Sequence, residues 1–195
     1  MLGTVLNIHG YHGSAGNSLY EALKENGYDV ITINLDYDDL GMEKTASLLS
    51  SIIEQEGVDG VAGTSLGGFF AVYCSAKYRL PALLVNPGLL PELILPRLGY
   101  GDIALVRECT RVRAALGTLE PGLLTTIIGT NDEVITDESI KNYTRSLVCT
   151  RRIIKVPGGR HSGSTLGLSH LLANSPLLRK GAWLDVKDTK DDTLS

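Results

Sequence analysis

Ser65 stands at the centre of Gly63-Thr64-Ser65-Leu66-Gly67, with a short, partly β-branched run over 58–62 before it and an apolar helical pattern over 66–78 behind it. Strand, sharp turn and helix in that order would present the serine hydroxyl at the tip of a strained turn, where only small neighbours let strand and helix approach. The Leu66 amide, at the start of the helix, would then lie beside the hydroxyl as one donor to a developing oxyanion. A serine hydroxyl needs a base to become a nucleophile, and the base needs an acid to orient and support it. His161, in Pro157-Gly158-Gly159-Arg160-His161-Ser162-Gly163, is placed to be that base, on a glycine-rich loop beyond a strand. Asp132, in Gly129-Thr130-Asn131-Asp132-Glu133-Val134, is placed to be the acid. Glu133 qualifies chemically as well; Asp132 is favoured because the shorter side chain sits closer to the strand end, where the backbone fixes it.

The other residues that could do chemistry have plainer readings. Thr136-Asp137-Glu138 can cap the helix that follows, which leaves Asp132 free for another role. His9 reads as a buried histidine hydrogen-bonded to neighbouring loops, His12 as facing water, and His170 as a surface or packing residue of a helical pattern over 166–173. The acidic run Asp36, Asp38, Asp39 reads as a solvated turn, with no His or Cys at metal-ligand spacing beside it. Ser65, Asp132 and His161 follow one another in the α/β-hydrolase order, which differs from those of the chymotrypsin and subtilisin types. In hydrolases of that fold the second oxyanion donor comes from the loop after an early strand, and here His9-Gly10-Tyr11 offers the Tyr11 amide.

The elements that must position these groups alternate along the chain. Strands are expected over 4–8, 29–35, 58–62, 82–86, 123–129 and 152–156, and helices over 19–26, 42–56, 66–78, 102–116 and 166–173. On the second helix, Leu48, Leu49, Ile52 and Ile53 are expected to face inward. Such alternation predicts a compact, mainly parallel sheet of about six strands with helices on both faces, and a ligand site beyond the carboxyl ends of the strands. The proline-broken segment 88–121 reads either as a small lid over the site or as an ordinary crossover helix with a long approach loop. Residues 1–175 read as a single domain and 176–195 as an extension, with its polar end, from Lys187 on, expected to be disordered.

Composition narrows the classes. The chain has 195 residues, 43% hydrophobic and 21% charged, which suits one soluble domain with a real core. A formal charge of −4 gives no reason to expect nucleic acid or an anionic membrane as partner. Three unpatterned cysteines, Cys74, Cys109 and Cys149, suggest a reducing compartment. No signal peptide and no run of membrane-spanning length is visible, so a cytoplasmic protein is the expectation. The chemistry calls for no metal or organic cofactor, and its partner would be a small-molecule acyl ester.

Ile8-His9-Gly10-Tyr11, Gly63-Thr64-Ser65-Leu66-Gly67-Gly68-Phe69, Val85-Asn86-Pro87, Asp132-Glu133-Val134 and Gly158-Gly159-Arg160-His161 together resemble the small bacterial esterases of the YqiA type, over roughly residues 5–172. The resemblance implies a compact α/β-hydrolase fold; with the first strand running straight into His9-Gly10, a reduced sheet without the antiparallel strands that open larger hydrolases is expected. The same resemblance implies Ser65 as nucleophile, Asp132 as acid, His161 as base, and the Tyr11 and Leu66 amides as oxyanion donors. It also implies hydrolysis of carboxylic esters with short acyl chains. Ser162 stands where an aromatic residue is expected after Gly-Gly-x-His, which bears on substrate preference. A binding module that keeps the fold without turnover, and an acyltransferase using the same three residues, are the alternatives.

Overall fold

In β1 (Thr4–Ile8), Leu6 and Ile8 point to one side of the sheet and Val5 to the other, and all three are buried. A strand apolar on both faces must be covered twice, and the chain supplies helices for both sides. The computed structural model of the protein describes residues 2–100, 104–114, 123–136 and 152–174. Beyond β1 the strands are β2 (Asp29–Thr32), β3 (Gly60–Thr64), β4 (Ala82–Val85), β5 (Leu124–Gly129) and β6 (Arg152–Val156). They form one sheet in the order β2-β1-β3-β4-β5-β6, with every neighbouring pair parallel.

One face is covered by α2 (Tyr37–Glu56), α3 (Leu66–Tyr78) and α5 (Leu105–Ala114), which pack Leu49, Phe70 and Cys109 against Leu6, Val61 and Leu84. The other is covered by α1 (Ser18–Glu25) and α6 (Leu168–Asn174), which pack Leu19, Leu23 and Leu172 against Val5, Ala62, Leu83 and Ile127. The short α4 (Pro91–Ile94) and a 3₁₀ turn (Leu95–Leu98) precede α5. After β2 the chain crosses to the far side of β1 before laying down β3. The strand order thus reverses between β1 and β3, and the crevice at their carboxyl ends is where an open parallel sheet receives a ligand.

The sheet, its six parallel strands and its two helical layers are as the sequence predicts; several boundaries differ for physical reasons. β2 stops at Thr32 because the chain then leaves the sheet, and the Leu35 N–H bonds to a histidine ring instead of a strand. The acidic run is solvated, as expected, but it opens a helix instead of a turn: Asp36 caps α2, its carboxylate accepting from the Asp38 and Asp39 N–H groups at 3.1 and 3.2 Å. α2 therefore starts before Met42, with a kink at Gly41 (φ 65°, ψ −179°). Leu48 is 38% exposed, while Leu49 and Ile53 face the core. α5 lies along α2, where Glu108 accepts the Met42 N–H at 2.8 Å and Arg111 pairs with Glu43 at 2.9 Å. Residues 101–103 and 115–122 of the segment expected to be lid or crossover, Cys149, and the extension 176–195 with Trp183 lie outside the described residues. Among the described residues no helix is long and apolar enough to cross a membrane.

Candidate active site

β3 ends at Thr64 and α3 begins at Leu66, so one residue makes the whole turn between them. That residue, Ser65, has φ 54° and ψ −120°, a conformation costly for any side chain-bearing residue. Three main-chain hydrogen bonds impose it. The Ser65 N–H donates to Val85 O at 3.0 Å, and its carbonyl accepts from the Gly68 and Gly88 N–H groups, both at 2.9 Å. The flanking glycines are sterically required: a Cβ on Gly63 would lie 2.2 Å from Gly67 O, and one on Gly67 would lie 2.0 Å from Ile8 O. The Ser65 hydroxyl is not spent on capping α3. Leu66 opens the helix, where an N–H has no intrahelical carbonyl to meet.

The loop after β1 passes directly over this serine. A Cβ on Gly10 would stand 2.9 Å from Ser65 Cβ and 3.5 Å from its Oγ. His9 anchors the loop and is only 1% exposed. Its Nε2 accepts the Leu35 N–H at 2.8 Å, which assigns the ring hydrogen to Nδ1, and Nδ1–H donates to Gly10 O at 2.8 Å. Tyr37 braces the same residue, its hydroxyl donating to His9 O at 2.5 Å. The Tyr11 hydroxyl donates to Asp38 at 2.8 Å, and burial followed by that carboxylate push its phenol up to about 12. His12 lies out in solvent, 3.7 Å from Asp38. His170 is also exposed, on α6.

Asp132 and His161 meet beyond the ends of β5 and β6. His161 Nδ1 lies 3.0 Å from Asp132 Oδ1 and 2.9 Å from Oδ2, and the carboxylate side chain is 6% exposed. With Nδ1–H donating to a carboxylate, Nε2 is left as the acceptor. Oδ1 of Asp132 also accepts the Val134 and Ile135 N–H groups, each at 2.9 Å. Burial alone would raise this carboxyl, but the His161 hydrogen bond and the two N–H donors together hold it below the usual carboxylate range. One side chain thus holds both the ring and the turn that follows it; the helix expected beyond, with Asp137 and Glu138 as its alternative caps, lies outside the described residues. Glu133 goes elsewhere: it accepts the main-chain N–H of His161 at 3.0 Å and pairs with Arg160 at 3.3 Å.

Ser65, His161, Gly10 and Tyr11 line one cleft of about 200 Å³, together with Ser18 and Ser162. Two residues without an assigned role in the sequence stand close behind it. Asn86, 1% exposed at the end of β4, bonds through its side-chain amide to the His161 loop and to Gly129. Tyr37 braces the loop over the serine. The sequence signal for Asn86 is a polar residue ending a fully apolar strand just before a proline; Tyr37, inside the acidic run, has no such signal.

The architecture matches solved α/β-hydrolases. Est1E from Butyrivibrio proteoclasticus, determined with ferulic acid bound, is 15% identical with a TM-score of 0.63, over 87% of this chain and 88% of that one. Mouse alpha/beta hydrolase domain-containing protein 10 is 16% identical with a TM-score of 0.63, over 87% of this chain and 86% of that one. A fluorophosphonate-binding serine hydrolase of Staphylococcus aureus is 13% identical with a TM-score of 0.59, over 88% of this chain and 81% of that one. At such identities the likeness establishes the α/β-hydrolase fold. A family profile matches residues 4–108, which carry the loop over the serine, the elbow and the Asn86-Pro87 pair. By that match, over more than half its length, the chain belongs to the uncharacterised protein family UPF0227, the YqiA type.

Proposed function

We propose that the protein is a serine hydrolase that cleaves small carboxylic esters by way of an acyl-enzyme on Ser65. The observation that carries this reading is the pairing of His161 Nδ1 with Asp132 at 2.9 Å, at the mouth of the same cleft that holds Ser65 on its strained turn. Asp132 fixes the ring so that Nε2 is the free acceptor. Nε2 takes the Ser65 proton as Oγ attacks the ester carbonyl carbon. The Leu66 and Tyr11 N–H groups hold the negative oxygen of the tetrahedral intermediate. His161 returns the proton to the departing alkoxide, which leaves as the alcohol. Water then attacks the acyl-enzyme by the same route, and a carboxylic acid leaves. A cleft of about 200 Å³ favours short acyl chains. Fluorophosphonate binding and ferulic acid binding by proteins of the same fold suit a pocket of this kind.

The test is covalent labelling with a fluorophosphonate, followed by peptide mass spectrometry, on the wild type and on Ser65→Ala. An adduct on Ser65 of the wild type, absent from the variant, is expected. Ser65→Ala should also lower ester turnover by several orders of magnitude. A folded wild type without the adduct would overturn the reading in favour of a ligand-binding protein that keeps the hydrolase fold. Transfer of the acyl group to an acceptor other than water would appear as an ester or amide product in place of the acid.

A further inference from the structure

The proposed base stands on the loop after β6, which hydrogen bonds tie to Thr130, Asn131 and Thr165. Gly158 (φ 71°) and Gly159 precede it, and its ring is bonded to Asp132 at Nδ1. A ring tied at Nδ1 alone can pivot about that contact and carry Nε2 off line, unless its own main chain is also fixed. Both main-chain polar groups of His161 are in fact held. Its N–H donates to the Glu133 carboxylate at 3.0 Å, and its carbonyl accepts from Asn86 Nδ2 at 2.9 Å.

The Asn86 amide reaches further. The same Nδ2 donates to Arg160 O at 2.9 Å, and Oδ1 accepts the Gly129 N–H at 2.8 Å. Gly129 is the last residue of β5, three positions before Asp132. One buried side chain at the end of β4 thus references both the base loop and the strand that delivers the acid. Asn86 has φ 42°, a region that Asn tolerates better than other side chain-bearing residues. Glu133 is suited to its task because the His161 N–H, along with Arg160, draws its carboxyl below the usual range and keeps it an acceptor.

We infer that Asn86 and Glu133 are positioning residues that clamp the main chain of His161, so that the ring's Nε2 is aimed at Ser65. The inference rests on His161 being the general base of the hydrolase reading above. It separates the two adjacent acids: Asp132 acts on the ring, Glu133 on the peptide. A Gln at 133 can still accept the N–H through its side-chain oxygen, whereas Ala cannot. An Asp at 86 keeps the bond to Gly129 but turns a second oxygen toward the Arg160 and His161 carbonyls, which repels the loop.

The experiment compares wild type, Glu133→Ala, Glu133→Gln and Asn86→Asp by the rate of fluorophosphonate labelling at Ser65 and by kcat and KM on p-nitrophenyl acetate. Glu133→Ala should label about tenfold more slowly, and Asn86→Asp about a hundredfold, since misplacement by about 1 Å costs on that scale. Glu133→Gln should lie within about twofold of wild type, so that the conservative variant rescues the loss. The losses should fall on kcat with KM little changed, and the unfolding midpoint of Glu133→Ala should match that of the wild type. Equal rates for Ala and Gln at 133, whether both normal or both impaired, would overturn the clamp, as would a loss confined to KM. If Asn86→Asp does not fold, the pair at 133 decides. A wild type that carries no adduct would fell the hydrolase reading itself; a labelled wild type beside an unaffected Glu133→Ala would fell the clamp alone.

Discussion

Asp132 has to do two things with one carboxylate: accept the His161 ring N–H, and close the turn by accepting the Val134 and Ile135 N–H groups. Each of these donors favours the charged form, and together they outweigh burial and lower the carboxyl's affinity for protons in the folded state. A group held below its unfolded value stabilises the fold fully above the ordinary carboxylate range and loses that contribution as pH falls through the folded value. Wild type should therefore exceed Asp132→Asn in stability at neutral pH, and the gap should close as pH falls through the ordinary carboxylate range and below it. Urea midpoints of the two proteins across that range measure it, and a gap that stays constant would contradict the assignment. Turnover should fall by about 10³- to 10⁴-fold in the same variant, because an amide no longer dictates which ring nitrogen carries the hydrogen. The same substitution thus reads out the carboxylate twice, once as a structural acceptor and once as support for the proposed base.

At the scale of elements, the elbow is built by close approach. Gly67 Cα faces the backbone of β1, where an added Cβ would meet Ile8 O at 2.0 Å and His9 O at 2.7 Å. Neither oxygen can move without breaking the strand or the loop that passes over Ser65. Gly67→Ala should lower stability by about 3 kcal/mol, the upper range for overpacking, and should slow fluorophosphonate labelling of any protein that remains folded. Thermal unfolding and the labelling rate test it together; a variant as stable and reactive as wild type would show that α3 can shift freely. This strand–turn–helix was legible because its requirement is local: small residues must flank the turn, and the letters say so. The meeting of Asp132 and His161 was legible for a related reason, each lying just past a strand of a sheet whose carboxyl ends form the candidate site. The start of α2 was not legible, since Asp36, Asp38 and Asp39 look like a turn until Asp36 is seen to cap the helix. Nor was Asn86, whose partners at 129, 160 and 161 come together only when β4, β5 and β6 are laid side by side. Spacing along the chain carries no trace of that meeting.

For the molecule as a whole, the sheet separates two large apolar clusters among the described residues, and the nucleophilic side chains differ in where they lie. Ser65 reaches the crevice at the β1–β3 reversal. Cys74 of α3 and Cys109 of α5 instead lie at 0% exposure in the core beneath α2. Burial pushes both thiols up to about 12, so at neutral pH neither is a thiolate nor within reach of a reagent. They pack among Leu49, Phe70 and Leu105 as small apolar side chains. Two helices with different roles are therefore reported by two cysteines: Cys74 sits on the elbow helix, Cys109 on the helix that packs against α2. If the core opens only as one cooperative unit, iodoacetamide should modify both at a common rate that rises with urea along the global unfolding curve, read by peptide mass spectrometry at each site. If instead α5 can lift from α2 while the sheet stays intact, Cys109 would react at urea concentrations where Cys74 is still protected and Ser65 still takes up the fluorophosphonate. The Glu108 bond to the Met42 N–H and the Arg111–Glu43 pair tie α5 to α2, and Arg113 ties it to Glu92 on α4, so the common rate is the expected result. Early reaction of Cys109 alone would mean that those ties are weaker than the burial they surround, and that α5 opens on its own.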